Sequence, residues 1–123
     1  MSSDPIPDDI RELVVKNIDS VAQLEALLFL RANDGAGFDV RSLAGHLFAP
    51  EPALEVALTR LQRDGFVRQD HGLFRYDAAP ALRHKVDRLA ASYRAHLVPI
   101  TNLIHSKPSA ARSFSDAFRF RKE

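Results

Sequence analysis

The stretch LQRDGFVRQDHGLFRYDA, residues 61–78, leaves this chain few ways to fold. A helix-like run ends in Asp-Gly, and apolar and charged residues then alternate on both sides of His71-Gly72. A helical period giving way to a period of two across a two-residue turn predicts a helix, a glycine stop and a tight antiparallel hairpin. The turn would pair Asp70 with Leu73, Gln69 with Phe74, Arg68 with Arg75 and Val67 with Tyr76. In that register Val67, Phe74 and Tyr76 face a core, while Arg68 and Arg75 stand opposite each other on the outside. Like charges paired directly across strands are destabilising unless an anion relieves them; a phosphate backbone, Asp77 or Asp64 would serve.

Upstream, Ile10, Leu13, Val14 and Ile18 recur at helical spacing, with Asp8 and Asp9 where the helix dipole favours negative charge. Ser20 opens a second helix with Gln23 three residues on, a capping box, and Val21, Leu24, Leu27, Leu28 and Leu30 make it apolar over most of its circumference. Residues 33–37 read as a loop and 38–40 as a short strand, followed by helices at 41–48 and 52–64 joined through Ala49-Pro50-Glu51. Downstream, residues 79–104 read as helix. Leu82, Val86, Leu89, Tyr93, His96, Ile100 and Leu103 follow alternating steps of four and three, a heptad seam that Pro99 should break near His96. A last segment, 108–121, sets Phe114 and Phe118 one turn apart and adds Phe120 among Arg112, Arg119, Arg121 and Lys122.

With 123 residues the chain suffices for one core and not for two independent ones. Cysteine is absent, which rules out disulfides and thiolate metal sites and is compatible with a reducing compartment. The longest purely apolar run, residues 26–30, is far short of the roughly 20 needed to span a membrane. The acidic start, MSSDPIPDD, lacks the basic and apolar regions of a signal peptide, so a cytoplasmic protein is expected. The net charge of +1 conceals an asymmetry: residues 1–39 carry eight acids against three bases, and residues 81–123 nine bases against three acids. An anionic partner would be drawn to the C-terminal third.

The order helix, short strand, helix, turn, helix, hairpin resembles the winged helix-turn-helix superfamily, of the kind found in MarR-like and PadR-like bacterial regulators. VRSLAGHLF, ALEVALTRLQRDGFVRQ and GLFRYDA carry the resemblance, which covers about residues 20–78. The expected fold is mainly α with a small β-hairpin wing (α+β). An N-terminal arm with a short helix (1–19) precedes the winged unit (20–78), and a long C-terminal helical extension (79–123) follows it. The resemblance implies a DNA-binding transcriptional regulator whose helix 52–64 enters the major groove while the wing lies along the backbone. Phosphate contacts would then fall to Arg41, Arg60, Arg63, Arg68 and Arg75, and base contacts to Val56 and Thr59, against thymine methyls.

The start of that helix argues the other way. Turning it at 100° per residue puts Leu54, Leu58 and Leu61 inward and leaves Glu51, Pro52, Glu55 and Val56 at the leading end, with no Arg, Gln or Asn for bidentate base contacts. It also lacks a Ser, Thr, Asn or Asp cap, and its acids repel phosphate. The alternative is a protein-interaction module that uses this acidic helix and the Phe/Arg-rich tail. The seam Leu82, Val86, Leu89, Tyr93, His96, Ile100 and Leu103, together with Phe114, Phe118 and Phe120, is the expected homodimer or partner interface, because a 26-residue helix offers more apolar surface than one small core covers. The five histidines, 46, 71, 84, 96 and 105, show no metal-ligand spacing, and no glycine-rich phosphate loop or nucleophile motif is present, so neither cofactor, metal nor enzyme activity is expected.

Overall fold

A computed structural model describes residues 6–106. Its elements run α1 (Asp8–Asn17), α2 (Val21–Ala32), α3 (Val40–Leu47), α4 (Glu51–Arg63), β1 (Val67–Asp70), β2 (Leu73–Tyr76), α5 (Pro80–Ala95) and α6 (Leu97–His105). This is the mainly helical α+β arrangement anticipated above. No described helix is long and apolar enough to cross a membrane.

Short-range chemistry sets most of the boundaries. The Ser20 hydroxyl accepts from the Gln23 amide at 3.1 Å and so caps α2. The Gln23 side chain, 1% exposed, accepts from the Asp19 amide at 2.9 Å and donates to the Asn17 carbonyl at 2.7 Å. A buried amide is thereby satisfied while it stitches α1 to α2. Asp39 caps α3 by accepting from the Ser42 amide at 2.7 Å. This capping explains why residues 38–40 are not a strand: only Phe38 bridges to Phe74, and Val40 already begins the helix.

The Asp-Gly stop of α4 is a Schellman turn. The Phe66 amide donates to the Leu61 carbonyl at 2.9 Å and the Gly65 amide to the Gln62 carbonyl at 3.2 Å, with Gly65 left-handed at φ 86°. Phe66, 1% exposed, then anchors the chain in the core. The hairpin takes the expected register, Val67 with Tyr76 through Asp70 with Leu73. His71 and Gly72, at φ 55° and 80°, both have the positive angles of a type I′ turn.

Pro99 interrupts the C-terminal helix as anticipated. It has no N–H for the carbonyl four residues back, so α5 stops at Ala95 and α6 restarts after His96.

α2 packs against α3, α4 and β2, while α1 packs against α5 and α6. One hydrophobic core joins all of these, from Ile6 to Ile104. The expected interface seam needs correction here. Val86, Leu89 and Ile100 are fully buried within the chain, and Leu82, Tyr93 and Leu103 pack against the same core. The reason is the N-terminal helix, whose Ile10, Leu13 and Val14 are buried in that core and supply cover that the sequence reading did not assign to the seam. Leu97 and Val98 on α6, and Val15 on α1, remain exposed. Phe114, Phe118 and Phe120 lie outside the described residues.

Candidate nucleic-acid interface

α4 is held by its inward row. Leu54, Ala57, Leu58 and Leu61 are buried, and α2 and α3 pack against the helix. Amphipathic spacing therefore fixes the opposite row, Pro52, Val56, Thr59 and Arg63, as an exposed ridge flanked by Glu51 and Glu55. Glu55, Val56, Thr59, Arg60 and Arg63 line a shallow open depression of about 390 Å³ on this side. Val56 is 54% exposed in the middle of it. The Thr59 hydroxyl donates to the Glu55 carbonyl one turn back at 2.8 Å. Pro50 precedes α4 and gives it no side-chain cap, and Glu51 occupies its first turn.

The five arginines expected at phosphate separate into two groups. Arg60 is paired with Asp19 in the α1–α2 connection. Arg63 donates to Asp64 at 3.1 Å, and Asp64 also accepts from the Asn17 side chain at 3.2 Å. The Asp64 carboxylate raises the Arg63 pKa through that hydrogen bond. Arg75 donates to the Gly35 carbonyl at 2.9 Å, tying the α2–α3 loop to the hairpin. Arg68 stands directly opposite it, in the expected register. Arg41, in the first turn of α3, and Arg68, on β1, are exposed, and their side chains make no hydrogen bond or ion pair among the described residues.

Three features had no local signal in the sequence. Phe48 ends α3 in a left-handed conformation, φ 54°, and is 94% exposed. The Tyr76 hydroxyl is buried and has no hydrogen-bond partner among the described residues, its pKa is raised by that burial, and the Arg83 guanidinium lies 4.7 Å from the centre of its ring. A second open cleft, about 350 Å³, lies between α2 and α5 and is lined by Leu28, Phe29, Leu47, Ala90 and Tyr93 with Glu25, Arg31 and Arg94 at its edges. The last two depend on which helices meet, and residues far apart in the chain meet only after folding. Among the described residues no group of His, Asp or Glu has the arrangement of a metal site.

No protein-family model matches the chain, and no curated protein does. Solved structures do. A MarR-family transcriptional regulator from Silicibacter pomeroyi is 26% identical and superposes with a TM-score of 0.52, over 92% of this chain and 77% of that one. A MarR-family protein of Mycobacterium tuberculosis is 16% identical with a TM-score of 0.55, over 94% of this chain and 83% of that one, a likeness of fold alone. The chain is thus similar to a transcriptional regulator and not to an enzyme. With the helix pair α3–α4, the Schellman stop, the type I′ hairpin and these two likenesses, it belongs to the winged helix-turn-helix superfamily.

Proposed function

We propose that the chain is a cytoplasmic transcriptional regulator that binds duplex DNA as a homodimer, α4 entering the major groove and the hairpin lying along the backbone. The observation that carries this reading is the outward face of α4: a straight ridge of Pro52, Val56, Thr59 and Arg63, uncovered by any described element, on a helix whose other side is locked into the core. The likeness to a MarR-family transcriptional regulator supports it.

Arg41 and Arg68 are the phosphate contacts, because neither gives up a side-chain partner among the described residues in order to bind. Arg63 joins them by exchanging Asp64, a partly exposed pair that is inexpensive to open in water. Arg60 and Arg75 act through the scaffold, holding the α1–α2 connection and the α2–α3 loop. Dimerisation uses the α1–α5–α6 side, where Val15, Leu97 and Val98 are exposed, and sets two copies of α4 at half-sites one helical turn apart.

The acidic, uncapped start of α4 favours a second reading, a protein-interaction module without sequence-specific DNA binding. Fluorescence anisotropy with duplexes from the region upstream of the coding sequence and a scrambled control, over a salt series, separates the two. Submicromolar, sequence-dependent binding that weakens steeply with salt supports the regulator. Weak binding, equal for both duplexes, supports the interaction module.

A further inference from the structure

Bases are read in the major groove by what a helix face offers, and α4 offers an unusual set. Arginine contacts guanine most often, yet Arg60 is engaged by Asp19 and Arg63 lies at the last residue of the helix, away from its leading end. What remains at the leading end and middle, beside Pro52, is two carboxylates, Glu51 and Glu55, and two branched side chains. Thr59 directs its hydroxyl at the Glu55 carbonyl, so its methyl is the group left for a ligand. Val56, one turn earlier on the same ridge, adds two more methyls. An exposed valine does nothing for helix stability, since β-branching lowers helix propensity and water gives its methyls no packing partner.

Glu55 shares the depression with Val56 and Thr59, and its carboxylate makes no ion pair among the described residues. A carboxylate only accepts hydrogen bonds. The major groove presents donors from the cytosine N4 and adenine N6 amino groups alone. Adenine N6 sits beside the N7 acceptor of its own base, which repels a carboxylate, whereas cytosine N4 sits beside C5–H. The only methyl in the groove belongs to thymine, also at C5.

We infer that α4 reads a pyrimidine-rich strand, Glu55 accepting from a cytosine N4 amino group and Val56 and Thr59 packing on the C5 methyls of neighbouring thymines. This rests on the DNA-binding reading above and goes beyond it by naming the bases and adding Glu55 as a specificity residue.

The test begins with the full-length chain selecting duplexes from a randomised pool. The enriched site is then measured by anisotropy with each thymine replaced in turn by deoxyuridine, which removes one methyl and nothing else. Affinity is expected to fall about fourfold at a contacted thymine, the worth of one buried methyl-sized group. Val56→Ala should lose a similar factor on the natural site and show no further loss with deoxyuridine at that position. Glu55→Gln should move the enriched base from cytosine towards adenine, which a glutamine reads bidentately. Thermal melts of both variants, expected to match the parent, keep these readouts separate from folding. Deoxyuridine without effect, or cytosine still enriched by Glu55→Gln, overturns the pyrimidine reading while leaving DNA binding intact. Absence of any duplex binding overturns the regulator reading and this one with it.

Discussion

The side of the molecule built on α5 and the side presented by α3, α4 and the hairpin differ in how their arginines are held. On the first, each of three arginines reaches an acid far away in sequence. Arg31 on α2 pairs with Asp87 on α5 at 2.8 Å, Arg83 on α5 with Asp34 after α2 at 2.7 Å, and Arg88 on α5 with Asp9 on α1 through two bonds of 2.7 and 2.9 Å. The eight acids of the first 39 residues and the bases of the last third, which looked like an anion-attracting asymmetry, are partly matched to each other across the fold. On the second side Arg60, Arg63 and Arg75 are engaged, while Arg41 and Arg68 are exposed and have no side-chain partner among the described residues, beside an α4 face that is acidic where it leads. A cation count along the sequence therefore overstates the attraction of α5 for an anion and misses where unmatched charge lies.

The same division separates what holds the fold from what is available to a ligand, and substitutions on the two sides should behave differently. The largest effect is expected from Leu89→Ala, which removes a fully buried α5 side chain from the shared core. Urea unfolding should register a loss of about 2–5 kcal/mol, against less than about 0.5 kcal/mol for Val56→Ala on the exposed ridge. Equal losses at the two positions would erase the contrast.

Gly37→Ala comes next. A Cβ there would lie 2.9 Å from the Leu73 Cβ and 3.1 Å from the Arg75 Cζ, so the α2–α3 loop would have to lift from the hairpin. A destabilisation of about 1–3 kcal/mol is expected from such crowding, read from the same unfolding curves.

Arg41 and Arg68 replaced together by Ala should leave stability within about 0.5 kcal/mol of the parent and act on DNA alone. Two phosphate contacts correspond to about 1.8 in the slope of log affinity against log salt. An unchanged slope would remove both residues from the interface.

The smallest effect is a pH dependence on the α5 side. The hydrogen bonds from Arg88 hold the Asp9 carboxyl below its ordinary value of 3.8. A carboxyl whose pKa is lowered by folding adds stability above the unfolded value, and that stability disappears as pH falls through the folded value. Asp9→Asn should accordingly unfold at lower urea than the parent at neutral pH, and the two should converge below the ordinary carboxylate range. A gap that persists in acid would show that the pair acts by packing rather than charge.

The residues 61–78 were legible because their instructions are local. The Asp-Gly stop, the two positive φ angles at His71 and Gly72, and the alternation on either side fix a Schellman turn and one hairpin register without help from the rest of the chain. The Ser20 cap, the inward Leu54, Leu58 and Leu61 row and the Pro99 break are of the same kind, each settled by neighbours within about one or two helical turns. The Asp39 cap shows the limit of that reading: the same residues also suited a short strand, and a hydrogen bond to Ser42 decided for helix.

Local pattern gave no access to which groups meet over 40 to 79 positions. Asp19 with Arg60, the Gly35 carbonyl with Arg75, and Asp9 with Arg88 are separated by 41, 40 and 79 residues. Any acid in the chain was a possible partner for any of these arginines until helix packing brought particular ones within reach. The apolar seam of α5 and α6 is the same case: the heptad spacing determined that Val86, Leu89 and Ile100 had to be covered, and only the return of α1 against the C-terminal helices decided that this chain covers them itself. Sequence set the elements, the hairpin register and the row of α4 that faces out, because these follow from dihedral preference and periodicity. The tertiary structure decided which of the outward charges are already neutralised, because pairing depends on distance in space and not on distance along the chain.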